Sequence, residues 1–167
     1  MILLKIIKKG LSLFYTYLVK RKAKKYGSLI KVNSLSFVSK TTTLGENVSF
    51  NGIRISGCGN VIIGNNFHSG KDCLIISQNH NFNHGEKIPY DESYICKDII
   101  IENNVWLGDR VIVLGGTRIG EGAIIQAGSV VVSNIPKYAI AGGHPAKVFS
   151  NRDIEHYKRL KQENKFH

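Results

Sequence analysis

The chain has 167 residues, 43% hydrophobic and 21% charged, with 17 glycines and 3 prolines; this fits one domain with a sizeable core, and excludes collagen-like, low-complexity and disordered classes. The formal net charge of +11 is concentrated: residues 1–45 hold ten of the 23 Lys and Arg and no acid, and the other 122 residues carry 13 bases against 12 acids. A nearly neutral domain behind a basic arm, with no nucleic-acid reading motif, predicts no nucleic-acid partner.

The arm is apolar as well as basic. Leu4, Ile7, Leu11, Phe14 and Leu18 recur at helical spacing, with Lys5, Lys9, Ser12 and Thr16 on the other side. The best apolar stretch, Leu11–Val19, is shorter than the roughly 20 residues a membrane span needs. Lys5, Lys8 and Lys9 interrupt the apolar run and no small-residue cleavage site follows it, so it does not read as a signal peptide. Two readings stay open: a helix packed on this protein or on a neighbouring subunit, and a helix lying on the anionic inner face of the cell membrane.

A six-residue repeat fills the centre. Ile101, Leu107, Val113, Ile119, Ile125 and Val131 stand six apart without a slip. The fourth residue after each is small or branched: Val105, Val111, Thr117, Ala123, Ser129 and Ile135. Upstream the frame returns at Ile63, Ser69 and Ile75, with Phe67 and Cys73 at the fourth positions. Leu44 and Phe50 sit one residue out of frame, which predicts an insertion or bulge within 55–60. Period six is neither the 3.6 of a helix nor a simple alternation. It predicts short strands joined by turns, three to a triangular coil, with each anchor pointing into a shared aliphatic column. The expected divisions are a basic arm (1–43), a β-helix (44–150) and a short C-terminal helix (151–167).

One stretch, residues 78–98, breaks the frame and contains Asn79-His80, His84, Pro89 and Tyr90. Its ends must lie close, because the repeat resumes in register, and long excursions from a rigid scaffold commonly carry function. The three cysteines, Cys58, Cys73 and Cys96, are unevenly spaced. They form neither a disulfide framework nor a Cys-x-x-Cys knuckle, and are expected as free thiols in a reducing cytoplasm.

Several segments together resemble the hexapeptide-repeat acyltransferases, the left-handed parallel β-helix enzymes, on the branch of the galactoside, maltose and nodulation O-acetyltransferases. They are Ile63-Gly64-Asn65-Asn66, Asn79-His80-Asn81-Phe82, Asn103-Asn104-Val105-Trp106-Leu107-Gly108, Ala127-Gly128-Ser129-Val130-Val131 and Gly143-His144-Pro145-Ala146-Lys147. The resemblance implies a cytoplasmic homotrimer with active sites between subunits, acetyl-CoA as donor, no metal, and a sugar or glycan acceptor in surface-polysaccharide synthesis. By motif position, His80 matches the catalytic base. Trp106 matches a residue near the pantetheine arm, and the Asp109 amide matches the donor to the thioester carbonyl. Ala127, Gly128 and Ser129 match main-chain contacts to pantetheine, and Lys147 a basic residue near the nucleotide phosphates. Asn51 lies one residue from a family acceptor position. The usual Gly-Asn-Pro-Ala is here Gly143-His144-Pro145-Ala146, and the Thr-Lys pair common after Ser-Val-Val is Val132-Ser133.

The same residues admit rival readings. His84 competes with His80 as base, or contacts substrate. His68, His80 and His84 could supply three imidazoles to a catalytic zinc, but the Trp and Ala-Gly-Ser-Val-Val segments favour acyl transfer. Ser129 has no histidine or acid near it in sequence, which favours direct transfer over an acyl-enzyme. An N-acetyltransferase of an amino sugar nucleotide and a non-catalytic β-helix scaffold are the alternative functions.

Overall fold

The computed structural model describes residues 2–167, with side chains from Leu3 onward. The six-residue period becomes a three-sided parallel solenoid. Face A stacks Thr42–Leu44, Val61–Ile63, Ile99–Ile101 and Arg118–Ile119, and face C stacks Arg54–Ser56, Leu74–Ile76, Ile112–Leu114 and Val130–Val131. Face B is the deepest, with Ile30–Ser34, Val48–Asn51, His68–Lys71, Trp106–Leu107, Ile124–Ile125 and Ala139–Gly142 in parallel order. Every anchor from Ile101 to Val131 is fully buried, and the fourth positions Val105 to Ile135 are at most 4% exposed. The branched and small side chains therefore interlock in one column, and the outward residues of the strands meet solvent or other parts of the chain.

Asparagines hold the corner between faces A and B. Asn47, Asn66 and Asn104 take left-handed backbone angles, φ 54° to 60°, which asparagine tolerates better than most residues. Their side chains form a ladder: Asn47 Nδ2 donates to Asn66 Oδ1 and Asn66 Nδ2 to Asn104 Oδ1, each at 2.9 Å. Polar groups at the turns are thus satisfied by the identical residue one coil away.

The bulge expected at 55–60 is present. Ile55 and Ile63 are both buried anchors, eight positions apart instead of six, and the corner 57–60 absorbs the extra chain. The interruption emerges directly above it, as an antiparallel hairpin of Gln78–His80 and Tyr94–Cys96. Its ends close on one residue: the amides of Lys97 and Gly59 both donate to the Ser77 carbonyl, at 2.9 and 3.1 Å.

The free-thiol expectation is corrected for two of the three cysteines. Cys58 and Cys96 form a disulfide with Cα atoms 5.2 Å apart. Only Cys73 is free, buried, with its thiol pushed up to about 11 by desolvation. The pairing follows from register. Residues 38 apart across the hairpin sit on top of one another, as Asn60 does on Asp98 and Asn66 on Asn104, and Cys58 and Cys96 share that separation.

The solenoid begins within the segment read as the arm. Lys25 bridges Thr43, Ile30–Ser34 pair with Val48–Asn51, and Phe37 bridges Arg54, completing a first coil. Helix α1 (Ile2–Lys22) leads into it, and Val19, 1% exposed, joins the core. At the other end the chain turns back as an antiparallel strand, Lys147–Asn151, beside Ala139–Gly142. Helix α2 (Ile154–Gln162) follows, its first turn capped by Asp153 accepting from the His156 amide at 2.9 Å.

Candidate active site

His80 ends the outgoing strand of the hairpin, opposite Tyr94. Its ring is half-buried between two tyrosines: Tyr90 stacks on it with centroids 3.7 Å apart and planes 18° apart, and Tyr94 lies at 4.5 Å. The ring orientation is therefore held by aromatic contact. Its Nδ1 is buried and has no hydrogen-bond partner among the described residues. A buried, unpartnered ring nitrogen is costly, so the stacking that fixes the ring is held against that cost. His84, its rival, lies in the exposed turn at the hairpin's far end.

The second group of expected residues surrounds a cavity of about 450 Å³ on face B, lined by Trp106, Gly108, Asp109, Ile124, Gln126, Ala127, Ile140 and Phe149. Its walls are mainly apolar, which suits a flexible acyl-carrying arm more than a charged group. Trp106 is 52% exposed, too open for a core residue. At the corner between faces B and C, Asp109 Oδ1 accepts from the Lys71 amide at 2.7 Å, and the Asp109 carbonyl accepts from the Gly128 amide at 2.7 Å. The Asp109 amide itself has no protein acceptor among the described residues. A Cβ on Gly70 would stand 2.5 Å from that amide nitrogen, so glycine is required there for the coils to approach. Gly128 has φ +72° and open space where a Cβ would stand, so the corner is exposed although its amide is bonded to the Asp109 carbonyl.

Other expected residues have different settings. Ser129 is 1% exposed; its hydroxyl donates to the Gln126 carbonyl at 2.7 Å and accepts from the Gly143 amide at 3.1 Å, so the side chain braces the corner. Lys147 is exposed at the start of the antiparallel strand. Asn51 is engaged within the solenoid, Nδ2 donating to the Ser69 carbonyl at 2.7 Å and Oδ1 accepting from Asn33 at 2.9 Å. His68 is on face B, stacked on His167 at 5.1 Å and kept below the usual imidazole range by burial and by the charges of His167 and Lys31. Among the described residues no three His, Cys, Asp or Glu side chains gather as metal ligands.

Within one chain the two groups are apart in the fold. The hairpin leaves the corner between faces C and A, whereas the cavity lies on face B and at the corner between B and C. Sequence reasoning passed over several contributors. Tyr94 brackets His80, and Ile140, Phe149 and Gln126 wall the cavity. His144, in place of the family asparagine, reaches the Gly128 carbonyl with Nε2. Tyr94 was legible as the residue that register sets opposite His80; Phe149 was not, because the chain reversal after Ala146 leaves no periodic trace.

Comparison with known proteins bears on the same segments. The family description "Bacterial transferase hexapeptide (six repeats)" matches residues 98–133. The chain is 33% identical over 118 residues, 66% of its length and 60% of the relative's, to the Escherichia coli K12 protein named "Putative lipopolysaccharide biosynthesis O-acetyl transferase WbbJ". It is 46% identical over 55 residues to the 2,3,4,5-tetrahydropyridine-2,6-dicarboxylate N-acetyltransferase of Enterococcus faecalis, covering 33% of this chain and 24% of that one. The chain thus spans less than two thirds of the length of these curated relatives. Among solved structures, galactoside acetyltransferase in complex with coenzyme A superposes with a TM-score of 0.74 at 24% identity, over 93% of this chain and 82% of that one.

Proposed function

We propose that the chain, which carries the bacterial transferase hexapeptide repeat over residues 98–133, is an acetyltransferase that moves an acetyl group from acetyl-CoA to a hydroxyl of a sugar or glycan. The observation that carries the reading is the setting of His80: a half-buried ring fixed between two tyrosines, in a protruding hairpin, with its Nδ1 unpartnered.

The chemistry follows from what each group can do. The imidazole of His80 takes the proton of the acceptor hydroxyl as that oxygen attacks the thioester carbonyl, a step in which a positioned base typically contributes about 10²–10⁴ in rate. The oxyanion of the tetrahedral intermediate forms near the free Asp109 amide, and one such donor is typically worth about 10²–10³. Collapse breaks the C–S bond, and the departing thiolate recovers the proton from the imidazolium. The apolar wall of Trp106, Ile124, Ile140 and Phe149 receives the pantetheine arm beside the exposed corner at Ala127 and Gly128. Lys147 meets the nucleotide phosphates at the exposed end.

Two groups on different corners of one solenoid act together only if a second subunit brings its hairpin to the first subunit's face B. The proposed assembly is a homotrimer with three such clefts. A hydroxyl acceptor is favoured by the O-acetyl relative, which aligns over the longer stretch; surface-polysaccharide assembly is the corresponding setting. His80 would serve an amine acceptor equally well, so the assay decides the atom acylated.

The experiment is thiol release from acetyl-CoA across sugars, sugar nucleotides and lipid-linked oligosaccharides, with light scattering on the same samples. His80→Ala should lose about 10²–10⁴ in turnover and keep the trimer and CoA binding. Near-normal turnover in His80→Ala with an inactive His84→Ala transfers the role to His84, and a fully active monomer refutes the shared cleft.

A further inference from the structure

We propose that the outward face of α1 is a docking surface for an anionic lipid bilayer. The proposal stands apart from the acetyl-transfer reading and rests on how the helix is attached.

The attachment uses the wrong face for a simple packing helix. Tyr15, Thr16, Val19 and Ala23 hold α1 to the first coil. Thr16 Oγ1 accepts from the Val32 amide at 3.1 Å while donating to the Ser12 carbonyl at 2.7 Å. The large apolar side chains point elsewhere. Leu3, Ile6, Ile7, Leu13, Phe14 and Tyr17 are 49% to 69% exposed, a contiguous apolar patch of the kind that marks an interaction surface. A helix whose role was to cap the solenoid would have buried these residues and exposed Ser12 and Thr16.

Charge identifies the occupant. Projected at 3.6 residues per turn, Lys9 and Lys20 fall along one edge of the apolar face, and Lys8 and Lys22 along the other. Long basic side chains in those positions reach past an apolar face to an anionic surface. Ten cations and no acid lie in residues 1–45, so a second copy of the helix would bring like charges together, whereas anionic headgroups pair with them. Among the described residues no helix is long and apolar enough to cross a membrane, so α1 lies on the surface. Apolar insertion and electrostatic attraction together supply the two signals that stable attachment needs.

The test is co-sedimentation of the full chain with vesicles of phosphatidylcholine alone and of phosphatidylcholine with phosphatidylglycerol. Binding should be at least about tenfold stronger to the anionic vesicles and should weaken from low salt to 0.5 M, as a screened attraction does. Leu13→Glu with Phe14→Glu should abolish it while leaving circular dichroism and melting unchanged, because both residues are exposed. Lys8→Gln, Lys9→Gln and Lys22→Gln together should remove the lipid preference and keep the fold. Equal sedimentation of wild type and either variant, or no preference for anionic lipid, overturns the proposal. So does a larger assembly in light scattering that the Leu13→Glu, Phe14→Glu variant reverts to the smaller one, since a second copy would then be the occupant.

Discussion

The coils from Ile99 to Ile135 and the hairpin from Gln78 to Cys96 are neighbours with opposite construction. In the coils every inward side chain is at most 4% exposed, and the strands Ile99–Ile101, Trp106–Leu107, Ile112–Leu114 and Ile124–Ile125 each pair on both sides. In the hairpin the strands pair only with each other, Ile88 is fully exposed and Phe82 is 61% exposed. The hairpin is held by its stem, through the Ser77 carbonyl and the Cys58–Cys96 bond, and by polar contacts of its own such as Ser93 and Glu86 to Asp91. Stability therefore resides in the column, and the imidazole proposed as the base in an element with few buried contacts, which lets a site be shaped without disturbing the core.

The sharpest way to break this contrast is a pair of truncations. Leu107→Ala, at a fully buried anchor, should cost about 2–5 kcal/mol by denaturant unfolding. Ile88→Ala in the hairpin should stay within about 0.5 kcal/mol. Comparable losses would mean that the hairpin shares the column's cooperativity.

Next in size is the disulfide. Reducing it, or replacing Cys58 and Cys96 by serine, should lower stability by about 2–4 kcal/mol. Hydrogen exchange should accelerate across 78–96 with the inner coils still protected. Thiol titration of the denatured, unreduced chain should find one free cysteine, Cys73; three would remove the tie between hairpin and column.

The smallest effect concerns the far edge of the column, where α2 rests on Glu121. Burial raises the Glu121 carboxyl, but the bonds from Lys161 and from Tyr157, at 3.0 Å, outweigh it and hold the group below the ordinary carboxylate range. A depressed acid stabilises the fold above its unfolded value near 4.5, and that contribution is lost as pH falls through the lower folded value. The docking of α2 should thus loosen only in acid, by no more than about 1 kcal/mol. Glu121→Gln should show the looser helix at neutral pH, with no further acid response in its exchange rates. An unchanged acid response in that variant assigns the titration to another group.

Much of this architecture was present in the one-dimensional pattern. A solenoid repeats one local decision, inward aliphatic then turn, so the anchors from Ile63 to Val131 declare themselves without any long-range information. The same logic located the break at 78–98 and the bulge near Cys58, while helical spacing of apolar residues marked the N-terminal helix. What tertiary structure alone decided lies where the repeat stops applying. The Cys58–Cys96 bond is hidden by the inserted hairpin, because spacing along the chain does not reveal stacking until the insertion is discounted. The first coil keeps the period, since Val32 and Val38 stand twelve and six residues before Leu44 and are buried like it, but two anchors among basic and polar residues do not announce a coil by themselves. The bracket of Tyr90 and Tyr94 on His80 depends on how a hairpin folds back. Amphipathicity gave α1 an apolar side, but only packing could decide which side met the protein: Thr16 and Val19 bind the first coil, and the larger apolar face is turned outward.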